Sequence, residues 1–230
     1  LIKTVDTLNL LKDYVPSDTT LPNYLVGRSM ITRKAKLVPV ECVVRGYISG
    51  SAWDEYKARG TMNSMAMPKD LRESEKLAEP VFTPTTKAET GHDKPLTKQE
   101  TENMVGKGPA KDLEEKSLAL YKYASDYALE RGIIIADTKF EFGFVNSELI
   151  VIDEMLTPDS SRFWDASQYA VGKSQPSFDK QPIRDWLTAS GWNKQPPAPE
   201  LPPDVISSTT HRYREAYERL TGKSLQYVPG

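Results

Sequence analysis

The stretch IIIADTKFEFG, residues 133–143, changes pattern partway along. A continuous apolar run opens it. Then Asp137, Lys139 and Glu141 fall on one parity, and Thr138, Phe140 and Phe142 on the other. Alternate residues of a strand share a face, so the segment predicts a strand with one apolar side and one side made of charge. LIVIDE (149–154) predicts its hairpin partner, with FVNSE as the turn. Centring the hairpin on Ser147 places Glu141 opposite Asp153 and Phe142 opposite Ile152. The valine-rich LVPVECVVRG (37–46) predicts another strand, ended by Gly46.

Helical patterning comes next. SAWDEYKARG predicts a helix with Ser51 as N-cap, Asp54 at the capping-box position and Gly60 as stop. PAKDLEEKSLALYKYASDYALERG (109–132) predicts a long amphipathic helix with Leu113, Leu120, Ala124 and Tyr127 on one side. A proline-rich extended linker at 195–203 precedes a last helix over 204–221, with Tyr213, Tyr217 and Leu220 in register. Residues 61–110 are rich in Pro, Gly, Thr and Lys and show little periodicity, which predicts a long functional loop region. Residues 1–30 are mixed, interrupted by Pro16 and Pro22. The pattern is that of an α+β fold, an antiparallel sheet flanked by helices.

Composition narrows the chemistry. A net charge of −2 implies no general attraction to nucleic acid or membrane, so any anionic ligand needs a local positive cluster. No apolar run approaches the ~20 residues of a membrane span, and no signal peptide is visible. Cys42 is the single cysteine, which excludes an intrachain disulfide and points to a reducing, cytoplasmic setting. With one Cys and two His the common zinc sets lack material, and a metal would be a hard ion held by carboxylates.

Opposed carboxylates with Cβ atoms ~4.5–5.5 Å apart repel one another unless a cation or proton intervenes. Glu141 and Asp153 therefore point to magnesium, with Lys139 on the same face to meet a phosphate. The plainer alternative is a solvated hairpin face carrying a Lys–Glu pair. The apolar start of the strand favours a cleft wall instead. Arg45 at a strand end and Ser51 at a helix N-terminus suit a phosphate, although Ser51 as a simple cap is equally compatible. TPDSSRFW (157–164) offers Asp159 and Arg162, or merely a turn. TGKS (221–224) is no Walker loop, because Tyr217 stands where the first glycine belongs. Trp186 and Trp192 read as packing residues rather than nucleic-acid stackers.

At VPVECVVRGYISGSAW, FTPTTKAE, GIIIADTKFEFG and DEMLTPDSSRFW the sequence resembles the SAICAR synthetase family, phosphoribosylaminoimidazole-succinocarboxamide synthases, in their fungal-type and related single-chain form. The resemblance implies a purine-pathway ligase that joins L-aspartate to carboxyaminoimidazole ribonucleotide (CAIR), through an acyl phosphate, at the expense of ATP. It implies ATP and Mg2+ as cofactors, with Glu141 and Asp153 as magnesium–ATP carboxylates and Lys139 beside the phosphates. Arg45, Ser51 and Arg162 match groups that hold the ribonucleotide phosphate, and Asp159 a polar contact to the nucleotide, with Lys139 and Asp159 expected to be catalytic. Lys87, His92 and Asp93 fall near the substrates, and 32–36 matches the hinge bordering adenine. The implied fold is an ATP-grasp-like sheet at 31–194 with C-terminal helices packed on it, followed by the linker and helix at 195–230. The family's small N-terminal glycine-rich lobe has no counterpart here, so 1–30 is expected to be its connector or remnant. The chain is expected to be a monomer or homodimer. Inositol-phosphate kinases, which carry a similar Asp-x-Lys strand, and an inactive nucleotide-binding fragment are the rival readings.

Overall fold

A computed structural model describes residues 1–87, 93–193 and 195–225. The chain opens with a clip of two short antiparallel strands, β1 (Lys3–Thr4) and β2 (Met30–Ile31). The long strand β3 (Lys36–Tyr47) leads into helix α1 (Gly50–Arg59) and the small ribbon β4 (Thr61–Met62) and β5 (Met65–Ala66). Next come β6 (Lys76–Phe82), β7 (Thr85–Thr86), α2 (Lys98–Val105) and the 23-residue α3 (Lys107–Leu129). The second half holds β8 (Ile133–Val145), β9 (Glu148–Ile152), β10 (Ser161–Asp165), α4 (Gln181–Ala189) and α5 (Pro203–Thr221).

One six-stranded antiparallel sheet organises these elements, in the order β10-β8-β3-β6, with β7 completing the β6 side and β9 the β10 side. The expected α+β class is therefore observed. The stretch 61–110 is more structured than its composition predicts: it supplies β6, β7 and α2. Its strands are too short and too broken by proline to show a period in sequence.

Helix α3 covers one face of the sheet. Val38, Val40, Cys42 and Val44 of β3 meet Leu113, Tyr121, Ala124 and Ala128 there. The buried stripe is thus Ala110, Leu113, Ser117, Tyr121, Ala124 and Ala128, which includes the predicted Leu113 and Ala124, with Leu120 packed partly buried beside it. Tyr127 is 40% exposed, and Tyr121 takes the inward place, donating a 2.6 Å hydrogen bond to the Ile135 carbonyl.

A bulge explains the change of pattern in β8. Arg162 pairs with Asp137, but the next residue, Phe163, pairs with Ile135, so Ala136 is the extra residue. Before it Ile133 and Ile135 face α3; after it Phe140 and Phe142 do. Ile134 and Ala136 pack instead with Tyr47 and Trp164 on the other side. One inserted residue lets the strand begin buried on both sides and continue with charge on one.

Candidate active site

The face away from α3 is built from two strands in register. On β3, Glu41, Val43 and Arg45 alternate with the core valines; on β8, Asp137, Lys139 and Glu141 alternate with Thr138 and the phenylalanines. Cross-strand pairing sets Glu41 against Glu141, Val43 against Lys139 and Arg45 against Asp137. Two ionic clusters result, four residues apart along the strands, or about 13 Å at ~3.3 Å per residue.

The first cluster joins Glu41, Glu141, Lys139 and Lys87. Lys139 Nζ lies 2.9 Å from Glu41 Oε1 and 3.4 Å from Glu141 Oε1. Lys87 Nζ holds the second oxygen of Glu141. Burial works to lower the Lys139 pKa, but hydrogen bonds and charge from the two carboxylates outweigh it and hold the ammonium above its ordinary value. Glu41 is a residue sequence reasoning missed. Its signal was present in the alternation of VPVECVVRG, read only as a strand.

The predicted opposition of Glu141 and Asp153 is corrected. Val145 pairs with Glu148, leaving a two-residue turn of Asn146 and Ser147, both with left-handed φ, 49° and 68°. This is the hairpin turn whose twist suits flanking strands, and it moves the register by one residue. Ile152 now faces Glu141, and Val151 faces Phe142. Asp153 is exposed at the end of β9, where its φ of 60° turns the chain out of the strand.

The second cluster centres on Asp137, which is 6% exposed. Its Oδ2 accepts from Arg162 Nη1 at 2.5 Å and Arg45 Nη1 at 3.2 Å. Arg45 also donates Nε to Thr83 at 3.1 Å and Nη2 to Ser51 Oγ at 3.5 Å. Burial pushes the Arg45 guanidinium down from its usual value, with Asp137 opposing, whereas Asp137 raises that of Arg162. Both remain cations and share the Asp137 carboxylate beside a helix N-terminus, with Glu55 acting on Arg45 and Asp179 on Arg162. Ser51 is not the cap: α1 starts at Gly50 after Ser49, and Ser51 sits in its first turn. Gly50 has φ of 55°, and a Cβ there would lie 2.7 Å from Arg162 Cζ. Only glycine meets both demands, which a search for cap residues does not register.

The remaining expectations divide. Asp159 accepts hydrogen bonds from Tyr213 at 2.8 Å and Lys180 at 3.0 Å, which ties the loop before β10 to α5. Asp93 is exposed, ahead of the Thr85–Pro95 bridge. His92 lies outside the described residues. Among the described residues no group of three or more His, Cys, Asp or Glu is placed to hold a metal by itself. Glu41 and Glu141 offer the hard oxygen donors of a magnesium ion that takes its other ligands from phosphates and water, so the donor set fits that ion.

The geometry defines an α+β protein with one charged sheet face that carries two separate ionic clusters. The SAICAR synthetase family model matches residues 4–199, and the chain belongs to that family. It is 53% identical over 202 residues to the phosphoribosylaminoimidazole-succinocarboxamide synthase of Maridesulfovibrio salexigens, covering 87% of this chain and 68% of that protein. The SAICAR synthase of Saccharomyces cerevisiae, solved as a complex with SAICAR, superposes with a TM-score of 0.84 at 44% identity, over 94% of this chain and 72% of that one. A SAICAR synthetase solved with ADP gives 0.61 at 26% identity, over 84% and 67%. These likenesses do not favour the inositol-phosphate kinase reading. No helix among the described residues is long and apolar enough to cross a membrane.

Proposed function

We propose that the chain is the ATP-dependent ligase that joins L-aspartate to CAIR, yielding SAICAR, ADP and phosphate. The observation that carries this reading, in a chain of this family, is the pair of ionic clusters on one sheet face. A spacing of about 13 Å lets two phosphate-bearing substrates meet end to end. The sheet is read as ATP-grasp-like, and the family's glycine-rich lobe as the element that covers the ATP phosphates.

A carboxylate is a poor electrophile. Transfer of the γ-phosphoryl group to a carboxylate oxygen of CAIR releases ADP and gives an acyl phosphate. The aspartate amine then forms the C–N bond, the C–O bond breaks with its electron pair leaving on phosphate, and the amine sheds a proton. The protein contributes position and charge, as in other phosphoryl transfers. Glu41 and Glu141 would hold magnesium, which when bound would neutralise phosphate oxygens; Asp153 lies past the end of β9, out of register with Glu141. Lys139 would meet the transferred group. Arg45, Arg162 and Ser51 hold the ribonucleotide phosphate, and Asp159 fixes the loop that presents Arg162. Lys87 and Asp93 would border the substrates.

The test is ADP release with each substrate withheld in turn. ADP should form only when both aspartate and CAIR are present. ADP formed without aspartate, together with a stable phosphorylated product, would identify a kinase and contradict the proposal.

A further inference from the structure

We infer that Lys87 and the divalent cation compete for Glu141, so that the site admits metal together with phosphate and resists it alone. The inference rests on the metal-site reading above and concerns how that site is regulated. Glu141 is 3% exposed, and ammonium groups hold both of its oxygens: Lys139 on Oε1 and Lys87 on Oε2. A cation cannot reach this carboxylate unless one ammonium withdraws.

The two lysines are not equally free to do so. Lys139 stands on β8 and is shared between Glu141 and Glu41, which faces it from β3. Both side chains are about one-third exposed, but Lys87 follows the two-residue strand β7 and pairs with Glu141, whereas Lys139 bridges two carboxylates from within the long strand β8. It is the group placed to leave.

Charge sets the condition for leaving. Two carboxylates and two ammonium groups sum to zero. A bare dication would bring this part-buried cluster to +2 with Lys87 still beside it, and to +1 once Lys87 has withdrawn, states that low-dielectric surroundings penalise. Phosphate oxygens arriving with the metal supply the missing negative charge and a new partner for the displaced Lys87 ammonium. Lys87 thus moves from carboxylate to phosphate as the metal takes its place.

The measurement is Mn2+ binding to the purified chain, read by electron paramagnetic resonance, without nucleotide and with ADP. Lys87→Met and Lys87→Gln should each tighten nucleotide-free Mn2+ by about tenfold or more, the order that follows from removing a unit charge in contact range of a dication. Lys87→Arg, which keeps the charge, should not. The enhancement of Mn2+ binding by ADP should shrink in both neutral variants. If both bind free Mn2+ no more tightly than the parent while ADP still recruits the ion, the competition is refuted and the metal site stands. If Glu141→Gln leaves Mn2+–ADP binding unchanged, the metal site fails and the inference with it. Circular dichroism on each variant separates these results from unfolding.

Discussion

Glu41 and Glu141 face one another across β3 and β8, and the Lys139 ammonium lies within hydrogen-bonding distance of both. A like-charged pair in direct register is destabilising in a sheet unless a cation spans it. Lys139 is therefore the closure of the cluster.

That closure has an alkaline signature. The Lys139 pKa is higher in the folded chain than the ordinary lysine value of about 10.4, so its stabilisation is complete below that value and is lost as pH rises through the folded pKa. Lys139→Met should lose stability at neutral pH and flatten the decline above about pH 10.4. Urea midpoints measured from pH 8 to 11.5 decide this; parallel declines in both proteins would remove Lys139 as the source.

Asp137 is the shared anion of two guanidiniums. Asp137→Asn removes the carboxylate that Arg45 and Arg162 share, a change that costs about 3–5 kcal/mol at buried pairs. Chemical denaturation should show a loss of that order with the slope unchanged. A loss below about 1 kcal/mol would mean that solvent already screens the cluster.

Gly50 is a positional requirement of the Arg162 site. Gly50→Ala adds a Cβ against the guanidinium and forces a left-handed φ on alanine. Titration with a ribonucleotide monophosphate should show weakening comparable to that of Arg162→Ala, while Mg-ADP affinity holds. Unaltered monophosphate binding would separate Arg162 from that ligand.

Asp159 marks the acid side. Burial raises its pKa, but hydrogen bonds from Tyr213 and Lys180 prevail and hold the carboxyl below its usual value. This contribution is complete above the unfolded value of about 3.9 and disappears as pH falls through the folded pKa. Tyr213→Phe should move the Asp159 carboxyl upward in a carbon-detected NMR titration. No movement would show that Lys180 alone sustains the shift.

Much of this was legible in the sequence because alternation survives into structure. The charged face of β8 was read correctly, since Asp137, Lys139 and Glu141 lie on the far side of the bulge from the isoleucines. The bulge itself was hidden, because Ala136 looks like one more apolar residue in a run. The Glu141–Asp153 opposition failed by one position: Asn146 and Ser147 both take left-handed φ, a property of the turn rather than of either residue's polarity. Glu41 was overlooked because its partner is 100 residues away in the chain. The register between β3 and β8 is set by tertiary pairing, and no local pattern encodes it.

The central claim is that the two clusters serve two different phosphates. The direct measurement is the pair of Michaelis constants, for CAIR and for ATP, in Arg45→Ala. One charge-assisted contact to phosphate is worth roughly 1.5–3 kcal/mol, so the CAIR constant should rise by about one to two decades. The ATP constant should stay within about twofold, because Arg45 belongs to the Asp137 cluster and touches neither Glu41 nor Glu141. Equal weakening of both substrates would contradict the account and make Arg45 a structural residue of the sheet.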